Sequence, residues 1–294
     1  MDVDDARCRE NLKQKEIVSM VNTLVLGDGD GDGEVSPVAG SLHSELERVG
    51  DATMASGCLS LESRPDPRIV GGFPADIANI PYIVSIQLYG IHHCGGSIIN
   101  NHTILTAAHC LTGVPHRLLK VKVGGTSRYR KDGELFSVAD LQTHEKFNPK
   151  TMDYDIGVIR LTKNLTLSRK VKAIPINPER VADGTYATIA GWGFKSMNGP
   201  PSDRLRYARV PIVNQTACRN LLGKTVTDRM LCAGYLKGGT DACQMDSGGP
   251  LSVREQLVGI VSWGVGCALA DKPGVYSRLD ALYPWLDQVL NKSK

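Results

Sequence analysis

The stretch Asp241–Leu251, D-A-C-Q-M-D-S-G-G-P-L, constrains this 294-residue chain more than any other. Ser247 stands between Asp246 and two glycines, an arrangement for a nucleophile around which the backbone must fold tightly. A glycine-flanked serine alone is usually a turn. A serine hydroxyl is also a poor nucleophile at neutral pH and needs a base within hydrogen-bond reach. The stretches that can supply one lie far upstream: Leu105–Cys110, L-T-A-A-H-C, and Asp153–Leu161, D-Y-D-I-G-V-I-R-L. Only a folded chain with many long-range contacts brings histidine, aspartate and serine together from such separations.

From Tyr82 onward, short runs rich in Val, Ile and Leu alternate with Gly, Asn, Pro and Asp turns. Examples are 82–88, 96–99, 103–107, 156–161, 186–190, 257–262 and 274–278. That rhythm predicts an all-β sandwich or barrel. Near the end Leu282, Trp285, Leu286, Val289 and Leu290 follow helical spacing, which predicts an amphipathic helix over Asp280–Asn291. No apolar run approaches the roughly 20 residues a membrane-spanning helix needs.

Residues 1–68 do not read as a folded domain and are expected to be largely disordered. They carry 7 basic and 14 acidic residues, whereas residues 69–294 carry 27 and 17, so an acidic segment precedes a basic domain. Charge blocks of this kind are most simply solvated surfaces. The apolar run Ile17–Leu26 is broken by Ser19, Asn22 and Thr23, and no small-residue cleavage site follows, so it does not read as a signal peptide. Asp28, Asp30, Asp32 and Gly33 imitate the start of a calcium-binding loop, but Ala39 stands where the closing glutamate would be and Pro37 interrupts it. A flexible acidic linker is the better reading. Pro65 and Pro67 keep the chain extended just before Arg68-Ile69-Val70-Gly71-Gly72.

The three motifs resemble the trypsin/chymotrypsin family of serine proteases, and I-V-G-G resembles that family's mature N-terminus. The resemblance covers essentially all of residues 69–294. It implies two antiparallel six-stranded β-barrels with a C-terminal helix, and a prosegment, 1–68, released by cutting between Arg68 and Ile69. The new ammonium of Ile69 would then pair with Asp246. Of the eight cysteines, the resemblance pairs Cys94 with Cys110, Cys218 with Cys232 and Cys243 with Cys267. Cys8 and Cys58 are left to pair with each other or remain free. Disulfides and N-x-[ST] sequons at Asn101, Asn164, Asn214 and Asn291 favour an extracellular, secreted protein.

The implied triad is Ser247 as nucleophile, His109 as base and Asp155 as the group that fixes the imidazole. Asp153 is the rival acid; Asp155 is preferred because it directly precedes the apolar run. The amides of Met245 and Ser247 would form the oxyanion hole. Met245 stands where the family has glycine, so strain at this amide is expected, with the side chain lying along the surface on the leaving-group side of the cleft.

Asp241 occupies the base of the substrate pocket in trypsin-like members, with Gly264 and Gly274 as its open walls. A buried carboxylate favours a substrate that brings a cation, so cleavage after Arg or Lys is implied. Ala242 withholds a hydroxyl from lysine and tilts the choice towards Arg. Gln244 lies beside the pocket, and Ser262-Trp263-Gly264 resembles the segment that binds substrate backbone as an added strand.

The family's calcium loop would fall near 124–135, where Arg128, Arg130 and Lys131 outnumber Asp132 and Glu134; no metal and no cofactor are expected. The partners implied are protein or peptide substrates and protein protease inhibitors, with no nucleic acid and no membrane, on a monomer. Two other readings compete: a catalytically impaired homologue acting as a binding or regulatory protein, and an active enzyme whose basic 128–131 loop docks acidic partners.

Overall fold

The chain divides into two units, Met1–Asp66 and Pro67–Lys294. The computed structural model describes residues 72–129, 132–196 and 199–291. The expectations for 1–68, for the Arg68–Ile69 bond, for Cys8 and Cys58 and for Arg130 and Lys131 lie outside the described residues.

A two-residue strand, β1 (Phe73–Pro74), opens the second unit. The first barrel is closed by β2 (Ile83–Leu88), β3 (Ile91–Ile98), β4 (Thr103–Thr106), β5 (Leu119–Val123), β6 (Glu134–Thr143) and β7 (Gly157–Leu161), in spatial order β2-β3-β4-β7-β6-β5. The second uses β8 (Tyr186–Gly191), β9 (Arg206–Val213), β10 (Met230–Ala233), β11 (Pro250–Val253), β12 (Gln256–Trp263) and β13 (Gly274–Arg278). Their order is β9-β10-β13-β12-β11-β8, and the pairing of β8 with β9 closes the ring; β1 adds to β9. All these ladders are antiparallel. Closure leaves no long exposed edge.

Two short helices complete the unit. The first, α1 (Gln215–Leu222), is capped by Asn214, whose side chain accepts from the amides of Thr216 and Ala217. The second, α2 (Leu279–Asn291), begins one residue before the predicted start. Its apolar stripe, Leu279, Leu282, Trp285, Leu286 and Val289, enters the same core as Val84, Ile86, Leu105 and Val158 of the first barrel. The helix follows β13 of the second barrel in sequence, so it clasps one barrel onto the other. Each fully buried leucine of that stripe contributes about 1.5–3 kcal/mol. The second barrel keeps its own core of Ile189, Val210, Leu251, Val258 and Tyr276.

Candidate active site

His109 lies on a single 3₁₀ turn, Ala108–Cys110, directly after β4. A disulfide joins Cys110 to Cys94 on β3, which ties that turn to the barrel wall. Asp155 sits just before β7 and is 1% exposed. One of its carboxylate oxygens accepts the His109 backbone N–H at 2.9 Å, and the other lies 2.7 Å from the ring Nδ1. An ionised carboxylate only accepts, so Nδ1 carries the proton and Nε2 is left as the basic atom. Burial pushes the imidazole pKa down; the charge of Asp155 and its hydrogen bond outweigh that, and the net shift is upward.

The second barrel completes the environment of Asp155. Ser262 on β12 donates to the same oxygen that meets the ring, at 2.5 Å, and Ser277 on β13 donates to the Asp155 carbonyl at 2.6 Å. The rival acid is engaged elsewhere: Asp153 pairs with the Arg229 guanidinium and accepts from the Thr227 hydroxyl at 2.7 Å.

Ser247 is half-buried in the tight turn before β11. Its carbonyl accepts from the Gly95 amide at 2.8 Å, which draws it to the strand that holds Cys94. Gly248 follows with φ +78°, and a β-carbon there would lie 2.1 Å from the Thr106 hydroxyl oxygen. Only glycine fits that close approach. Among the described residues, no hydrogen bond joins the Ser247 hydroxyl to His109.

Asp246 turns inward and is 1% exposed. Its carboxylate accepts from the Gly193 amide at 2.7 Å and the Cys243 amide at 3.0 Å. A β-carbon on Gly191 or Gly193 would stand 2.0 or 2.3 Å from its oxygens, so the G-W-G segment is a cradle shaped for this carboxylate. Burial pushes its pKa up to about 6.

Met245 has φ +74° and is 6% exposed. The expected placement of its side chain along the cleft surface is therefore corrected: it packs inward with Phe194 and the Cys243–Cys267 disulfide. Both adjoining peptide groups are fixed. The Phe194 amide donates to the Gln244 carbonyl at 2.9 Å. His92 Nε2 donates to the Met245 carbonyl at 3.0 Å, while its Nδ1 accepts from Ser85 at 2.7 Å. In a planar trans peptide the N–H opposes the C=O, so the Met245 N–H points away from Phe194. Among the described residues neither the Met245 nor the Ser247 amide has an acceptor, which leaves two donors unspent beside the serine.

Asp241 is 4% exposed; one oxygen accepts weakly from the Ala268 amide at 3.3 Å and the other has no partner. The nearby Tyr276 hydroxyl is likewise without a partner. Burial, aided by the Asp246 charge, pushes the Asp241 carboxyl up to about 7. A β-carbon at Gly274 would lie 2.7 Å from the open oxygen, whereas one at Gly264 would meet nothing closer than 3.5 Å. Ala242 is half-buried and Gln244 exposed. Trp263, ending β12, is half-buried and packs with Met152 on the cluster around the Cys218–Cys232 disulfide. Met152, His92, Phe194, Tyr276 and Ser277 belong to this neighbourhood and carry no local sequence signal.

Of the three cations in the basic 128–131 loop, Arg128 is the one among the described residues. Arg128 is 3% exposed, with its guanidinium over the Tyr129 ring. Asp132 is committed to the Lys122 ammonium at 2.9 Å and to the amides of Thr126 and Ser127. Near His109, the sulfurs of Cys94 and Cys110 come within metal-ligand range of the imidazole, but they are bonded to each other and offer no thiolate. A separate concavity of about 730 Å³, lined by Tyr82, Lys172, Ser252 and Arg254 among others, contains none of these groups.

A carboxylate-oriented imidazole and a glycine-flanked serine at the seam of two antiparallel barrels define a serine hydrolase. The comparisons narrow that class. The trypsin family model matches residues 69–286. Trypsin alpha-4 of Lucilia cuprina is 45% identical over 75% of this chain and 87% of its own length. Hypodermin-B of Hypoderma lineatum is 43% identical over 76% and 88%, and the vitellin-degrading protease of Bombyx mori 40% over 76% and 86%. The chain belongs to the trypsin family and is a serine-type endopeptidase; its three described disulfides pair as the resemblance implied.

Proposed function

We propose that the chain is a secreted zymogen, cut between Arg68 and Ile69, whose domain 69–294 hydrolyses peptide bonds after Arg and Lys. The observation that carries the specificity is Asp241: a buried carboxylate with an unpartnered oxygen and a raised pKa, which a cation would stabilise. Arg, whose planar fork pairs bidentately, is preferred over Lys. Secretion is supported by the disulfides and the four sequons.

In the reaction the Ser247 hydroxyl oxygen attacks the scissile carbonyl carbon while His109 Nε2 takes its proton. The carbonyl π pair becomes the oxyanion, which the Met245 and Ser247 amides receive. Collapse breaks the C–N bond; His109 returns the proton to the leaving amine, and an acyl-Ser247 ester remains. Water, deprotonated by His109, repeats the sequence to release the acid. Asp155 holds the imidazolium throughout, itself held by Ser262 and Ser277.

The test uses chain cut to expose Ile69, verified by N-terminal sequencing, on peptide substrates that differ only in Arg, Lys or Phe before the bond. The expected order of kcat/KM is Arg, then Lys, with Phe far below. Equal rates on Arg and Phe would remove Asp241 from the pocket.

A further inference from the structure

We propose that Met245 is a positioning residue whose buried side chain holds the oxyanion loop assembled before the chain is cut, so that the uncut precursor is itself a slow protease. This rests on the reading of the Met245 and Ser247 amides as oxyanion donors. Among the described residues the Asp246 carboxylate accepts from the amides of Gly193 and Cys243. Further contacts, independent of Asp246, hold the loop. Phe194 holds the Gln244 carbonyl, His92 holds the Met245 carbonyl, and the Met245 side chain is packed beneath Phe194 against the Cys243–Cys267 disulfide.

The choice of residue is what makes this a device rather than a detail. A glycine at 245 populates positive and negative φ about equally and buries nothing, so it has no reason of its own to keep φ at +74°. Methionine disfavours that φ, yet in that conformation it gains a packed apolar site that a rotated peptide would empty. Its unbranched thioether suits the irregular gap between a ring and a disulfide. The side chain thus shifts the loop's population towards the competent form through contacts that do not involve Asp246. Activity before cutting then equals the activity after it multiplied by the competent fraction.

The experiment uses the full chain carrying Arg68→Gln, which blocks the cut, beside the cut enzyme. Both are assayed on a small Arg ester and by labelling of Ser247 with a fluorophosphonate. The uncut chain is expected to retain at least about one hundredth of the cut enzyme's rate. Adding Met245→Gly should lower the uncut-to-cut ratio about tenfold or more, and Met245→Leu should keep it within about threefold. A role confined to stability would change both forms alike and leave the ratio untouched. An uncut chain that is silent beside an active cut enzyme overturns this inference alone, as does a ratio unmoved by Met245→Gly. A cut enzyme that neither labels nor turns over would overturn the proposed function and this inference with it.

Discussion

Asp241→Asn should stabilise the resting protein, and by an amount that depends on pH. The native carboxyl is 4% exposed, takes a long hydrogen bond from the Ala268 amide and weak help from the Ala242 amide, and leaves one oxygen unpaired. Its pKa rises from 3.8 to about 7, chiefly by burial. Between these values the folded state binds a proton that the unfolded state has released, so stability falls as pH rises through about 4 to 7. At about 1.4 kcal/mol per unit over about three units, the charged form costs about 4 kcal/mol at pH 8. Asparagine has nearly the same size and never ionises, so the substitution removes that cost while keeping the shape. Asp246 remains in both proteins, and its repulsion of the Asp241 charge is part of the difference. Denaturant unfolding of the two chains, each on a Ser247→Ala background to prevent self-cleavage, measures the difference. A gain of a few kcal/mol at pH 8 that disappears near pH 4 is expected. Asparagine should also abolish binding of benzamidinium, whose cation the wild-type pocket would take with release of a proton near pH 6. A destabilised variant at pH 8, or a gain independent of pH, would refute the account of Asp241 as an uncompensated buried charge.

The two neighbouring acids should separate cleanly. Asp155→Asn should cut kcat by about 10⁴, a magnitude taken from the triad of this enzyme family rather than worked from this structure. It should also move the acid limb of kcat/KM down in pH, because loss of the Asp155 charge leaves burial to lower the His109 pKa, which the native pair raises. Asp153→Asn should leave kcat intact and cost about 1–3 kcal/mol of stability, read by thermal unfolding, since Arg229 and Thr227 lose a partly buried partner. Cutting at Arg68–Ile69 should lower the pH at which benzamidinium binding is lost, measured by calorimetry on the cut and uncut chains.

The sequence carried the chemistry better than its support. Asp155 could be preferred to Asp153 because an apolar run begins at once after it, and that run is β7. The helix over the last turns was legible from its 3.6-residue stripe, which the structure buries in the first barrel's core. β9 was not, because Arg206, Arg209 and Pro211 interrupt its apolar residues; the strand alternates, with Ala208, Val210 and Ile212 inward. The contacts of Ser262 and Ser277 with Asp155 could not be read either. Those serines occupy ordinary strand positions, and the partner is supplied by closure of the other barrel. Met245 shows the limit most sharply. Its departure from glycine was visible and its positive φ could be expected, but the direction of its side chain depends on Phe194, which packs against it and whose amide bonds the neighbouring Gln244 carbonyl.

Asp241 and Asp246 are best understood as one electrostatic system. Both are buried, both are pushed upward mainly by desolvation, and the charge of Asp246 adds to the shift of Asp241. Neither meets a cation among the described residues. On the proposed reading two cations arrive in sequence: the Ile69 ammonium at Asp246, then the substrate guanidinium at Asp241. The first event has a consequence for the second. An ammonium at Asp246 offsets the negative charge that Asp241 senses, so the Asp241 pKa falls and a larger fraction of pockets is ionised when substrate comes. Cutting would therefore improve substrate binding through charge alone, separately from any ordering of the oxyanion loop. The cost of burying two carboxylates would be recovered as affinity when each receives a cation, because an ion pair replaces a buried charge held by amides alone.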